Sequence, residues 1–102
     1  MESCSVRRLV RLNIRADKLI EVIWRRLRND PGRRLFASAE KSWQAYANNE
    51  CRSRYRVWTD PKYPHVYSGG TAAPLLYSLC LERLTAAHIH DLKETAAAVG
   101  PH

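Results

Sequence analysis

From residue 6 onward the apolar positions fall at three- and four-residue steps. Leu9, Leu12, Ala16, Leu19, Ile20, Ile23 and Leu27 therefore gather on one side of a helix. Arg7, Arg11, Arg15, Lys18 and Arg25 gather on the other side. The pattern predicts an amphipathic helix over residues 6–28, closed by Asn29-Asp30-Pro31-Gly32, four residues that favour turns. Asp30 is expected to cap a second helix, with Pro31 at its first position. That helix is predicted over residues 31–58, with Phe36, Ala39, Trp43, Tyr46, Cys51 and Tyr55 at helical spacing. Residues 59–70 break the pattern with Asp60-Pro61, Tyr63-Pro64 and Ser68-Gly69-Gly70, and read as a long loop with no strand signal. A third helix is predicted over residues 72–95, with Thr71 as its N-cap, Pro74 in its first turn, and Leu76, Cys80, Leu84 and Ala87 on its stripe. The tail, residues 96–102, is expected to fray and stop at Gly100-Pro101. Three such stripes facing one another predict an all-α fold, an antiparallel bundle of three main helices.

Length keeps this to one domain over residues 1–102. Hydrophobic residues make up 45% of the chain, enough for a core and too many for wholesale disorder. No apolar run approaches the ~18 residues needed to cross a bilayer, so a soluble domain is expected. The first residues have an arginine at almost every turn and do not make a signal peptide. For an exported protein, the leader is expected to lie outside this chain.

Charge adds a direction. The net charge is +7, but residues 1–58 hold fourteen Lys/Arg against six Asp/Glu, while residues 59–102 hold three against four. The basic half points either to an anionic partner (nucleic acid, an anionic membrane surface or an acidic protein surface) or to a solvated helix face. On the first view Arg7, Arg11, Arg15, Lys18 and Arg25 form the contact face, joined by Arg8 and Arg26. No helix-turn-helix spacing, zinc knuckle or aromatic ribonucleoprotein motif accompanies them, so nucleic-acid binding would be non-specific.

Candidate chemistry is sparse. His88 and His90 point some 200° apart on a helix and cannot share a metal. No nucleophile stands in a recognisable motif with a base, and no phosphate loop is present. The chain is therefore expected to act by binding, with no catalytic residue, metal or cofactor. Trp24, Trp43, Trp58, Tyr46 and Tyr55 are expected mostly in the core. Trp58, Tyr63, His65 and Tyr67 flank or occupy the long loop and are the candidate partner-binding residues; the alternative is a loop folded down as a lid over the core. Cys4, Cys51 and Cys80 are the three cysteines. Cys51 and Cys80 lie on the stripes of adjacent helices and are either two buried thiols or a disulfide. Cys4 is left as a free thiol, half of an intermolecular bridge, or part of a frayed end.

Several segments together resemble a known family. Glu40-Lys41-Ser42-Trp43-Gln44-Ala45-Tyr46-Ala47-Asn48-Asn49-Glu50-Cys51 resembles the pattern Gln-Arg-x-Trp-x-x-Tyr-Arg-Asp-x-Glu-Cys. Ser68-Gly69-Gly70-Thr71-Ala72 is similar to a Gly-Gly-Ser/Thr lead into a helix, and Cys80-Leu81-Glu82-Arg83-Leu84-Thr85 to Cys-Leu-x-x-Leu-Thr. Asp17, Ile20, Glu21 and Trp24 stand where the pattern has Asp-x-x-Leu-Asn-x-x-Tyr. The family is that of small bacterial proteins named after the lysozyme inhibitor LprI, and the resemblance covers about residues 16–92. It implies an exported helical domain in which Cys51 and Cys80 are bonded to each other, and so a periplasmic or secreted location. Without that bond a cytoplasmic location is expected. Ala47 and Asn48 replace the usual Arg-Asp pair, Glu40 replaces Gln, Glu21 replaces Asn, and His88 stands where Arg is usual. The function implied is steric inhibition of a lysozyme or related peptidoglycan hydrolase, by a monomer or weak dimer. A basic lysozyme would be repelled by a chain at +7 unless an acidic patch, drawn from Asp60, Glu82, Asp91 and Glu94, offset this. A basic module for anionic partners, or a structural envelope protein, is the alternative.

Overall fold

The computed structural model describes residues 4–100. Three long helices dominate it: α1 (Cys4–Arg26), α2 (Asp30–Tyr55) and α3 (Ala73–Ala98). Between α2 and α3 lies a two-stranded antiparallel hairpin, β1 (Thr59–Asp60) and β2 (Tyr63–Tyr67). The helices run up, down and up. Arg8 reaches Glu82 and Arg26 reaches the Ala96 carbonyl, so α1 and α3 are parallel, while α2 runs against both. The particle is elongated, 52 × 27 × 18 Å.

The core is the seam between α1 and α3. Ala16 and Ile23 meet Ile89, Leu92 and Ala96, flanked by the half-buried Leu12, Leu19, Ile20, Leu27 and Phe36. The stripe expected on α1 is the one observed. On α2 only Ala47 and Cys51 are buried. Tyr46, Ala39, Trp24 and Trp58 are exposed, contrary to the expectation that they serve the core, and Trp43 is half-buried. The reason lies in the arrangement: α2 packs chiefly on α3, so its apolar stripe has one neighbour to cover it. On α3 the observed burial also differs from the expected Leu76–Ala87 stripe. Ser78, Thr85, Ile89, Leu92 and Ala96 are buried along one line, and Ala73 and Cys80 on another. As the central helix it must serve two partners, which spreads its apolar positions around the axis.

The helix ends also correct the sequence reading. Asn29, not Asp30, is the N-cap of α2, its side chain accepting from the Gly32 N–H at 2.7 Å, with Pro31 in the first turn. Ala72 caps α3 without a side-chain bond, so Thr71 does not fill that role. Helix α2 stops three residues earlier than expected. Arg56 is left-handed (φ 51°), and bonds from Val57 N to Arg52 O and from Arg56 N to Ser53 O make a Schellman stop in which arginine takes the place glycine usually fills. Helix α3 runs past the expected fray, because Ala96 is buried against α1 and its carbonyl accepts from Arg26. Of the tail, Pro101 and His102 lie outside the described residues.

The disulfide implied by the resemblance is present. Cys51 and Cys80 are bonded, with Cα atoms 5.7 Å apart, and tie the end of α2 to the start of α3. Cys4 is a free, exposed thiol at the start of α1. Among the described residues no helix is long and apolar enough to cross a membrane.

Candidate functional site

The hairpin grows directly from the disulfide end of α2. After the Schellman stop the chain turns through Val57 and Trp58 into β1. Asp60 accepts from the Lys62 N–H at 2.8 Å, which closes the tight Pro61-Lys62 turn. Thr59 pairs with Tyr67 and Asp60 with Tyr63, so Pro64, His65 and Val66 bulge out of the ladder. This is the segment read from sequence as a strandless loop. Its ladder is too short and too irregular to leave an alternating pattern, and two prolines mask what remains.

Its base is fixed by backbone bonds. Ser68 N donates to Trp58 O at 2.8 Å, and Gly69 N to Arg56 O at 3.0 Å. A Cβ at Gly69 would run into the backbone carbonyl oxygen of Tyr55, and Gly70 has φ +90°. Each glycine of the Gly-Gly pair thus has its own physical reason. Gly69→Ala should cost about 1–3 kcal/mol through this collision; a thermal melt unchanged by the substitution would show that the hairpin base is not held as described.

Every residue of both strands is exposed. Trp58 is 47% exposed, Tyr63 65% and Tyr67 38%. The segment is therefore no lid over the core. A cleft of about 690 Å³ lies on the side toward the helices, between Trp58, Tyr67, Pro64, Arg52 and Tyr77. Another of about 470 Å³ lies among Trp58, Asp60, Tyr63, Val66 and Tyr67. Trp58 and Tyr67 line both, Tyr63 lines the second, and His65 sits exposed on the bulge outside either. Under the hairpin the Tyr77 hydroxyl donates to the side-chain amide oxygen (Oδ1) of Asn48, bridging α3 and α2.

Two turns further from the hairpin lies a polar cluster that the sequence did not reveal. His88 stacks on Trp43, centroids 3.9 Å apart and planes 9° apart. Its Nε2 lies 2.9 and 3.1 Å from the two carboxylate oxygens of Glu40. Both side chains are almost buried, at the floor of the crevice that separates α1 from α2. His90 lies outside this cluster and pairs with Glu94 on the surface. Replacing His88 by Ala removes the stack and leaves Glu40 without this partner. The expected loss is about 2 kcal/mol in a denaturant titration; a loss under about 0.5 kcal/mol would show the pair to be incidental.

The remaining charges follow α1. Arg7, Arg8, Arg11, Arg15, Lys18 and Arg25 are all exposed. Arg8, Arg11 and Arg15 share a groove with Glu82 and Arg83 of α3. The four acidic residues named as a candidate patch do not gather: Asp60 is in the hairpin turn, Glu82 is bonded to Arg8 at 2.7 Å, and Asp91 and Glu94 lie in the distal half of α3. Among the described residues, no group of three or more His, Cys, Asp and Glu side chains is placed to hold a metal ion.

The model of the family described as "Lysozyme inhibitor LprI" matches residues 6–92. The chain belongs to the LprI family. No curated protein and no solved structure matches it. The match begins ten residues earlier than the motifs themselves suggested, and so takes in most of the basic helix α1. Of the positions Glu21, Glu40, Ala47, Asn48 and His88, which depart from the LprI pattern, Glu21 lies exposed on α1, paired with Arg25, and the others lie on α2 and α3. Glu40 and His88, each standing where the pattern has another residue, are bonded to one another. Asn48, which replaces Asp, takes the Tyr77 hydroxyl bond, and Ala47 beside it is buried.

Proposed function

We propose that this LprI-family protein is an extracytoplasmic, non-enzymatic inhibitor that binds a lysozyme or related peptidoglycan hydrolase and blocks its substrate cleft with the hairpin. The observation that carries the reading is the hairpin itself: Trp58, Tyr63 and Tyr67 are exposed on and beside a short ladder whose base is closed by the Ser68–Trp58 and Gly69–Arg56 backbone bonds, and the helices that flank it are tied by the Cys51–Cys80 bond. Rigid aromatic side chains presented at low ordering cost are the usual anchors of a protein–protein contact. The family description supports a hydrolase as the partner. The disulfide supports a location where such bonds persist, the periplasm or the exterior.

The test is hydrolase activity on cell walls against increasing amounts of the oxidised protein, at low and moderate salt. Saturable inhibition near one-to-one stoichiometry, lost on reduction, is the expected result. A verified disulfide-bonded sample that inhibits no peptidoglycan hydrolase would overturn the reading. Charge makes a further demand. With net charge +7, and with Asp60, Glu82, Asp91 and Glu94 not gathered into one patch, the protein should associate slowly with a basic lysozyme, and the association rate should rise as salt screens the repulsion. Stopped-flow measurement between about 0.05 and 0.3 M salt checks the sign, the screening length shrinking across this range. A rate that falls with salt would mean the contact is made through an acidic surface of the target.

A further inference from the structure

Opposite α2, the seam between α1 and α3 opens into a groove of about 470 Å³. Its rim carries Arg8, Arg11, Arg15 and Arg83, and Glu82 is the single acid among its lining residues. Its floor is Leu12 and Ala86. The apolar floor continues beyond the rim. Leu75 and Leu79 stand on the same face of α3 as Arg83, at four-residue steps, and both are exposed. On the outer side of α1, Val10 and Ile14 are exposed among Arg7, Arg11 and Lys18. Leu75 and Leu79, 49% and 40% exposed, thus present aliphatic surface to water beside a row of arginines.

We propose that this face docks on an anionic phospholipid bilayer, with the arginines on headgroup phosphates and Leu75 and Leu79 in the headgroup–acyl boundary. Charge complementarity selects the occupant. A second copy of the chain would bring the same positive face and be repelled. A single-stranded nucleic acid would satisfy the arginines, but it is held by aromatic stacking platforms. Here the exposed aromatics of the hairpin, Trp58, Tyr63 and Tyr67, lie outside the groove, and the groove offers only aliphatic groups. The combination of basic and aliphatic side chains along a helix some 35 Å long is that of an interfacial helix. Docking of this kind is independent of the hairpin and leaves it free to meet a partner.

The experiment is flotation of the oxidised protein with vesicles of phosphatidylcholine alone and with phosphatidylglycerol added. Binding to the anionic vesicles only, weakening steeply with salt, is expected. Two triple variants separate a placed face from mere net charge: R11E/R15E/R83E and R28E/R34E/K41E each lower the net charge from +7 to +1. The first leaves the Arg8–Glu82 bond intact and should reduce partitioning about a hundredfold or more; the second should stay within about fivefold of the parent. Both are compared at equal helical content and melting temperature. The variant L75S/L79S should weaken vesicle binding while leaving any affinity for a DNA oligonucleotide unchanged. Equal losses in the two triples, binding to neutral vesicles, or vesicle binding indifferent to L75S/L79S would each overturn the proposal. The last, with tight DNA binding, would assign the groove to polyanions instead.

Discussion

Reduction of the Cys51–Cys80 bond should lower the melting temperature by roughly 15–25 °C, the largest stability change expected of any single bond in the molecule. The bond closes a loop of 29 residues in sequence. Freeing that loop in the unfolded chain is worth roughly 3–4 kcal/mol, and each kcal/mol moves the midpoint of a domain this size by several degrees. The effect should also be uneven. The α1–α3 seam owns the aliphatic core of Ile23, Ile89 and Leu92, whereas α2 buries only Ala47 and Cys51. Apart from the half-buried Phe36 at the edge of that core, what otherwise holds α2 is polar or stacked: Tyr77 on Asn48, and His88 between Trp43 and Glu40. Hydrogen exchange on the reduced protein should therefore show the second half of α2 and the hairpin opening first, while α1 and the distal half of α3 stay protected. The variant C51A/C80A should behave like the reduced parent. A shift below about 5 °C, or uniform loss of protection, would mean that packing and not the covalent link fixes α2.

The uneven core also explains how far the sequence could be read. Helix α1 has one neighbour that matters, so its apolar stripe and its basic back are both plain from spacing alone. Helix α3 sits between two partners; Ser78 and Thr85 are buried while Leu75 and Leu79 are exposed, an inversion no periodicity argument would choose. On α2 the sequence favoured Tyr46 where the fold buries Ala47, because close approach beside the disulfide selects a small residue over an apolar one. The end of α2 was hidden because arginine, not glycine, takes the left-handed position. The disulfide was legible chiefly through the resemblance: the stripe positions alone favoured it only slightly over two buried free thiols. The pairing of Glu40 with His88, 48 residues apart, left no local trace at all.

For the hairpin the decisive variants are those whose effect on folding can be separated from their effect on binding. Tyr63 is the cleanest, since it is the most exposed of the candidate anchors and touches only the outer cleft. Tyr63→Ala should leave the melting temperature within about 2 °C of the parent, a surface change of this kind being worth about ±0.5 kcal/mol. If Tyr63 is an anchor, the same change should weaken inhibition about 30-fold or more, the scale of a hot-spot aromatic. Trp58 and Tyr67 line both clefts, and Trp58 receives the Ser68 backbone bond through its carbonyl rather than its side chain. Their alanine variants should therefore keep the hairpin base while losing side-chain contact. The triple variant should abolish inhibition at concentrations where the parent saturates, with the disulfide still formed. His65, on the bulge and outside either cleft, should tolerate alanine with a smaller loss, near the interface rim. A triple variant that is folded, oxidised and still fully inhibitory would remove the hairpin from the contact. The inhibitory surface would then have to be sought along the crevice between α1 and α2, where Trp43 and His88 lie.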